Sequence, residues 1–304
     1  MRLGKSKLEV CPIAIGCMRF ANMDVDDLSE LISFCVDRGF NFFDHADIYG
    51  DGVCESLFGE ALKKTGLQRD EVVIQSKCGI VPGKMYDFSR EHILSSVDGI
   101  LSRLDMEYLD VLVLHRPDAL MDAKEVANTL DELYESGKVH YFGVSNFRPS
   151  QIELLKKYMK RDILVNQLQF SITESNMIAC GLEVNMNTSG SFDHDGSILD
   201  YCQLNDITVQ AWSPFQYGFF EGCFIGNREK FFKLNERLDE LAAKYGVTPY
   251  GIAVAWILRH PAKIQMVSGS TNIDHLRQIF EGTKICLSRE DWYRLYLDAG
   301  HILP

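Results

Sequence analysis

The sequence lacks several features that would place it in common protein classes. It has no apolar run near the ~18 residues that cross a bilayer, and its first residues, MRLGKSKLEV, contain no apolar segment typical of a secretory signal. Its nine cysteines include no CxxC pair, which argues against a disulfide framework or a zinc site. We therefore expect a cytoplasmic protein with no metal site and no membrane partner.

Basic residues are also scarce. The chain of 304 residues carries 31 Lys and Arg against 43 Asp and Glu, so its formal net charge is −12. This acidic balance argues against nucleic acid as a partner. Hydrophobic residues at 46% and charged residues at 24% are typical of a folded globular chain. Because no low-complexity tract or Pro/Gly/Ser-rich linker divides the sequence, we expect one domain over residues 1–304.

Short apolar runs alternate with longer helix-like segments along the chain. Unbroken apolar runs are typical of parallel strands that are covered on both faces. Eight such strands, each followed by a helix, favour a single α/β domain, a (β/α)8 TIM barrel with an N-terminal hairpin and extra loops and helices at its C-terminal face. A doubly wound open sheet is the alternative. The runs start at Ile13, Phe42, Val72, Val111, Tyr141, Val165, Thr208 and Ile264.

Helix signals lie between these runs. Asp122 and Glu125 form a capping-box pattern, and Gly137 is a typical helix end. Residues 177–197 and 216–230, rich in Gly, Asn and Asp, are predicted to be long loops. Four apolar residues after the capping box share one helical face, Val126, Leu130, Leu133 and Tyr134, and similar helical patterns follow Asp24, Glu91, Pro149 and Thr248.

Polar residues follow each apolar run at its C-terminal end. In a parallel barrel these ends converge on the face where active sites lie, whereas on an irregular fold they would not meet. The predicted barrel therefore also predicts a polar site. The residues are Asp44, Lys77, His115, Ser145, Asn146, Gln167, Ser213, Ser268 and Ser270.

Four side chains near successive strand ends are suited to proton transfer: Asp44, Tyr49, Lys77 and His115. A phenol with a pKa near 10 is a weak acid at neutral pH, but a nearby ammonium favours the phenolate. We expect Asp44 to keep Lys77 charged and oriented. His115 would donate a second hydrogen bond to the same substrate oxygen. Singly, each has an ordinary explanation as a cap, a packing residue or a solvated charge; together they predict a catalytic group.

Seven segments follow one another along the chain: DHADIYG, VIQSKCG, HRPD, SGKVHYFGVSNF, NQLQFS, AWSP and SGSTNIDHL. Through these segments and their order, the stretch from Ile13 to Gln278 resembles the aldo-keto reductases, in particular a bacterial branch of predicted oxidoreductases. The resemblance implies reduction of an aldehyde or ketone to an alcohol, with Tyr49 as the general acid, Lys77 lowering its pKa and His115 orienting the carbonyl. Asp44 would pair with Lys77.

The resemblance also implies a cofactor, NADPH or less often NADH, bound without the G-x-G-x-x-G motif that this chain lacks. Ser145, Asn146 and Gln167 match the residues that hold the nicotinamide carboxamide, and Trp212 matches the aromatic residue that stacks on its ring. NADPH is expected, although no Lys or Arg stands at the usual position for its 2′-phosphate. The remaining implied contacts are Gly16, Met18, Asp44, Ser213, Pro214, Phe215, Gln216, Gly218, Gly269, Ser270, Thr271, His275 and Gln278.

The substrate is expected to be a small carbonyl compound with a hydrophobic body. Met18, Phe20 and the loops after His115, Met177 and Ala299 are mostly apolar and are predicted to wall its pocket. The oligomeric state is open between a monomer and a small homo-oligomer.

Two other functions stay open at this stage. One is a cofactor-binding regulatory protein similar to the potassium-channel β subunits of the same superfamily, some of which place Trp where Trp212 stands. The other is a barrel aldolase that uses Lys77 as a Schiff base.

Overall fold

Eight parallel strands close into a barrel in the computed structural model, which describes residues 1–303. The barrel strands neighbour one another in chain order, and the last one pairs with the first. The predicted (β/α)8 TIM barrel is therefore confirmed, and the open-sheet alternative is excluded. In chain order the strands are β1 (Ile13–Gly16), β2 (Phe42–Asp44), β3 (Val73–Cys78), β4 (Ile80–Val81), β5 (Met85–Tyr86), β6 (Leu109–Leu114), β7 (Val139–Ser145), β8 (Ile163–Gln169), β9 (Thr208–Trp212), β10 (Gln216–Tyr217), β11 (Gly222–Cys223) and β12 (Gln265–Ser268).

Two short antiparallel hairpins, β4–β5 and β10–β11, lie outside the barrel. Helices follow the barrel strands, and those predicted after Asp24, Glu91, Asp122, Pro149 and Thr248 are all present. The helices are α1 (Val25–Val36), α2 (Val53–Thr65), α3 (Arg90–Leu104), α4 (Ala123–Glu135), α5 (Pro149–Lys156), α6 (Asn176–Leu182), α7 (Ile198–Leu204), α8 (Phe232–Tyr245), α9 (Pro249–Leu258), α10 (Ile273–Gly282) and α11 (Arg289–Asp298).

Three local predictions need correction. The carboxylate of Asp122 caps α4 as expected, but Glu125 instead accepts a hydrogen bond from the backbone N–H of Arg90, at 2.9 Å. Tyr134 is 39% exposed and does not share the buried face of α4. The predicted loop 177–197 begins inside α6, and its apolar residues explain this, since Met177 and Ile178 are buried in the core.

The first ten residues cover the N-terminal end of the barrel. Arg2 and Glu9 pair as an antiparallel bridge, in agreement with the predicted hairpin. Leu3 is fully buried against apolar side chains of the strands, and the N–H of Gly4 donates to Thr208 Oγ1 at 2.8 Å. This end of the barrel is therefore closed, and the opposite end is left for a site.

Among the described residues, no single helix is long and apolar enough to cross a membrane. α8 and α9 pass that test of length and composition only as a combined pair, and they are bent by 89° at their junction.

Candidate active site

A cavity of about 890 Å³ opens among the C-terminal ends of the barrel strands. Its volume lies within the range of roughly 300–1,000 Å³ that is typical of small-molecule sites. The ends of β1, β2, β7, β8, β9 and β12 form its floor, and the two hairpins form much of its wall. Because all barrel strands run in the same direction, their polar last residues meet here, as the sequence predicts.

Three of the four predicted catalytic side chains form one hydrogen-bonded group. Lys77 is fully buried, and its Nζ donates to Asp44 Oδ2 and to the carbonyl oxygen of His45, both at 2.8 Å. Its third donor reaches Tyr49 Oη at 3.2 Å. An ammonium has three hydrogens, so all of them are used. Since the oxygen of Tyr49 accepts from Lys77, the phenolic hydrogen is available to donate to another group.

A tight turn places Tyr49 at the mouth of the barrel. The segment YGDG runs through three consecutive positive φ angles, at Gly50 (57°), Asp51 (52°) and Gly52 (88°). Glycine favours this backbone region, and Asp tolerates it. A Cβ on Gly52 would also lie 2.6 Å from Arg103 Cδ. The two glycines therefore permit the reversal that separates Tyr49 from α2.

Burial and neighbouring charges set the protonation of this group. Burial raises the pKa of Tyr49, and Lys77 opposes this increase without cancelling it. The phenol of the free protein is therefore neutral, and the predicted acidifying effect of Lys77 is outweighed by desolvation. Burial would lower the pKa of Lys77, but Asp44 and Tyr49 together raise it above its usual value. Lys77 is therefore an ammonium at neutral pH.

His115 completes the group from the end of the neighbouring strand, β6. Its ring lies edge-on to the ring of Tyr49, with 6.2 Å between the centroids. Burial, and then the charges of Lys77 and Arg116, lower its pKa well below the usual value. The imidazole is therefore neutral at pH 7 and can donate one hydrogen bond. Its Nδ1 is buried without a hydrogen-bond partner in residues 1–303.

A layer of buried glutamines lies beneath Asp44 inside the barrel. Gln75 Nε2 donates to Asp44 Oδ1 at 2.6 Å and to Gln210 Oε1 at 2.9 Å. Gln210 donates onward to Gln265 Oε1 at 2.8 Å, and Gln167 Nε2 reaches Asp44 Oδ1 at 3.2 Å. Buried amides that satisfy one another can fix the orientation of the carboxylate that they bind. Asp44 is thus held by both Lys77 and this layer.

The residues predicted to hold a nicotinamide lie together beside this group. Trp212 Nε1 donates to Asn146 Oδ1 at 3.2 Å, and Asn146 Nδ2 donates to Ser145 Oγ at 2.7 Å. Asn146 (φ 60°) and Ser213 (φ 51°) adopt left-handed conformations, a strain that is common at functional sites. The side-chain oxygen of Gln167 accepts no hydrogen bond within the described chain, so it could receive one from a carboxamide.

The far end of the cavity is suited to phosphate or ribose hydroxyl groups. Ser268 Oγ lies in the wall, buried and without a partner among the described residues. The N-terminus of α10 follows, capped by Asn272 through its hydrogen bond from the N–H of His275. Arg19 Nη1 donates to the carbonyl oxygen of Gly269 at 2.8 Å, which places a guanidinium at this end. Donors of this kind suit a dinucleotide, so the residues present fit the expected cofactor.

Most predicted site residues lie around the cavity. Four predicted residues do not line it. Lys77 is covered by Tyr49, and the other three are Gly218, Thr271 and Gln278. Phe20 is instead buried against His45 and Phe58 in the core, and the loops after Met177 and Ala299 also lie outside the wall. The lining includes Gly16, Met18, Asp44, Tyr49, His115, Ser145, Asn146, Gln167, Trp212, Ser213, Pro214, Phe215, Gln216, Gly269, Ser270 and His275.

Sequence reasoning missed two parts of the site. The hairpins supply much of the apolar wall, but their two-residue strands are too short to produce a recognisable pattern. The glutamine layer did leave a signal, because a Gln interrupts four of the apolar runs. Arg116 also lines the cavity, and it lies in the loop after His115 that the sequence predicts as part of the wall. The missed lining residues are Arg19, Ile48, Ile80, Val81, Gly83, Lys84, Met85, Tyr86, Phe219, Phe220, Cys223, Tyr250 and Val267.

Known proteins are similar to this chain in sequence and in fold. The model of the Aldo/keto reductase family matches residues 12–296. The uncharacterized oxidoreductase YcsN of Bacillus subtilis is 34% identical over 290 residues, which cover 91% of this chain and 90% of that protein. The 6-dehydroglucose reductase of Agrobacterium fabrum is 34% identical over 304 residues, covering 95% and 94% respectively. A solved structure of the thermostable aldo-keto reductase Tm1743, in complex with the inhibitor epalrestat, has a TM-score of 0.78 at 25% identity and 98% coverage of both chains.

Proposed function

This chain belongs to the Aldo/keto reductase family, and we propose that it reduces an aldehyde or ketone to an alcohol with NADPH, using Tyr49 as the proton donor. The observation that carries this proposal is the contact between Lys77 Nζ and Tyr49 Oη at 3.2 Å, on the edge of a cavity large enough for a dinucleotide and a substrate. The location in the cytoplasm and the single-domain organisation remain predictions from the sequence.

The proton step follows from the hydrogen-bond directions. Tyr49 accepts from Lys77 and donates its own hydrogen to the carbonyl oxygen of the substrate. As negative charge develops on that oxygen, neutral His115 donates a second hydrogen bond to it. When Tyr49 has given up its proton, the buried ammonium of Lys77 stabilises the phenolate that remains. Asp44 and the glutamine layer keep Lys77 charged and in place.

Aldo-keto reductases use nicotinamide cofactors, and the donor set of this cavity fits one. Gln167, Ser145 and Asn146 would hold the carboxamide, and Trp212 would support the ring. Ser268, Ser270 and Arg19 would hold the phosphates. When bound, the reduced nicotinamide supplies the hydride that the carbonyl carbon accepts. We propose NADPH rather than NADH because the guanidinium of Arg19 lies at this end of the cavity, beside Gly269, and would attract the additional phosphate of NADPH.

The decisive experiment compares wild type with Tyr49→Phe. Binding of NADPH and NADH is followed by quenching of tryptophan fluorescence, and turnover is followed as cofactor oxidation over a panel of aldehydes and ketones. We expect wild type to bind NADPH more tightly than NADH. In Tyr49→Phe we expect kcat to fall on the order of 10²- to 10⁴-fold, while the affinity for NADPH stays unchanged.

Other outcomes point to other functions. Unchanged turnover in Tyr49→Phe would refute the role of Tyr49. Tight cofactor binding without oxidation by any carbonyl compound would favour a regulatory protein over an enzyme. A covalent adduct on Lys77 after borohydride treatment would favour a Schiff-base aldolase.

A further inference from the structure

Arg116 is an exception among the arginines of this protein. Four arginines in residues 1–303 are half-buried. Three of them bind a carboxylate, in the pairs Arg69–Asp110 and Arg103–Glu55 at 2.8 Å and Arg237–Asp298 at 2.9 Å. The fourth, Arg116, pairs with no carboxylate and forms no side-chain hydrogen bond within the described chain. Its nearest aromatic partner is the ring of Trp212, and no hydrogen bond within residues 1–303 uses its N–H groups, so all five of these donors are available for a ligand.

Its position connects it to the reacting end of the cavity. Arg116 lines the cavity directly after His115. Its guanidinium carbon lies 5.9 Å from the centroid of the Trp212 ring, which we assign to the nicotinamide. Its charge is also one of the causes that keep His115 neutral, after burial and Lys77. A group bound to Arg116 would therefore lie close to the carbonyl that His115 and Tyr49 bind.

The charges and surfaces around Arg116 indicate what would bind there. The cavity wall contains three cations, Arg19, Lys84 and Arg116, in a chain whose net charge is −12. The one carboxylate in this wall, Asp44, is neutralised by Lys77. Arg19 lies at the phosphate end and already donates to Gly269. Arg116 and Lys84 therefore leave an excess of positive charge at the substrate end.

Apart from Arg116 and Lys84, the substrate end of the cavity is apolar. Apolar side chains from the segment after β2 and from the two hairpins surround it, so a bound substrate would also need a hydrophobic body. These side chains are Ile48, Ile80, Val81, Met85, Phe219 and Phe220.

We propose that Arg116 binds a carboxylate of the substrate, and that the enzyme prefers carbonyl compounds that carry both an apolar body and a carboxylate. A planar guanidinium binds both oxygens of a carboxylate, which orients the substrate as well as attracting it. This inference rests on the proposed function, since it concerns the substrate of the same site. It makes Arg116 a specificity-determining residue that itself neither gives nor takes a proton; without its charge, burial and Lys77 still keep His115 neutral.

The test uses two substrates that differ in charge, 4-carboxybenzaldehyde and its methyl ester, with wild type, Arg116→Gln and Arg116→Lys. Arg161→Gln is the matched control, because it removes the same charge from an exposed residue just before β8, on the opposite face of the barrel. We expect the kcat/KM of wild type to be higher for 4-carboxybenzaldehyde than for its methyl ester. In Arg116→Gln this value should fall roughly 10- to 100-fold, while that for the ester changes little.

Two further readouts separate binding from folding. Arg116→Lys should recover part of the preference, and added salt should reduce the preference in wild type but not in Arg116→Gln. The product alcohols provide a test without turnover, because 4-(hydroxymethyl)benzoate should bind wild type more tightly than its methyl ester, and Arg116→Gln should bind both equally. NADPH affinity should be unchanged in all variants.

The results distinguish this inference from the proposed function. If wild type does not oxidise NADPH in the presence of either aldehyde or of any other carbonyl compound, the proposed function fails. If it reduces both aldehydes without preferring the carboxylate, reductase activity stands and the role of Arg116 is overturned. An equal loss on both substrates in Arg116→Gln, or a loss of NADPH binding, would likewise overturn it.

Discussion

The buried pair of Lys77 and Asp44 allows a quantitative test of how the site is held together. The two side chains are 0% and 2% exposed and lie 2.8 Å apart. Removing one partner of such a pair leaves a buried charge uncompensated, which costs about 3–5 kcal/mol. Lys77→Met and Asp44→Asn should each lower the free energy of unfolding by about this amount. The double variant contains neither charge, so we expect it to be more stable than either single variant.

The assay is urea unfolding followed by tryptophan fluorescence for all four proteins of this double-mutant cycle. The surface pair Lys138–Asp98 is a matched control, since its atoms are as close, at 2.6 Å, but its side chains are 41% and 58% exposed. Its coupling energy should be about 0–1 kcal/mol. If the losses of Lys77→Met and Asp44→Asn simply add in the double variant, the two residues do not act as a pair and our account of Lys77 is wrong.

Two further predictions concern stability away from the reacting groups. In α2, Gly59→Ala should destabilise the protein by about 1–3 kcal/mol, because the new Cβ would lie 2.5 Å from the carbonyl oxygen of Leu104. In α6, a Cβ on Gly181 meets no atom within 4 Å, so Gly181→Ala should stabilise the protein by about 0.5–1 kcal/mol through the higher helix propensity of Ala. Thermal melting that showed a change of the same sign in both variants would contradict this. Burial, and then the charge of Glu55, raise the pKa of Asp47 to about 6, so this group stabilises the fold below pH 4 and the contribution is lost as the pH rises through 6. Asp47→Asn should therefore match wild type at pH 3 and exceed its unfolding free energy by about 3 kcal/mol at pH 8, whereas equal stability at pH 8 would show that the carboxylate carries no such penalty.

The candidate site shows which of its parts a sequence can predict. Asp44 and His115 both line the cavity, because each stands at the end of an apolar run and parallel strands bring such residues to one face. The wall was predicted less well. Phe20 looked like a pocket residue because it follows β1, but its ring packs into the core. Phe219 and Phe220 lie in a segment that was predicted only as a loop, and the hairpin β10–β11 brings them to the cavity.

The acidity of Tyr49 shows a second limit. The sequence predicts that Lys77 lies nearby and lowers the pKa of the phenol. It does not show how deeply the hydroxyl is buried, and that burial outweighs the effect of the charge. Desolvation depends on every element packed around a group, so it cannot be read from residue types and spacing.

The sequence by itself therefore determined the barrel, because apolar runs that alternate with helices are local patterns. It also determined where the polar strand ends lie, because parallel strands bring their C-terminal ends to one face. Only the tertiary structure decided which polar groups have partners. It joined Asp44 to glutamines from other strands, and it left Arg116 without a carboxylate. Both outcomes depend on contacts between residues far apart in the chain, which no local pattern records.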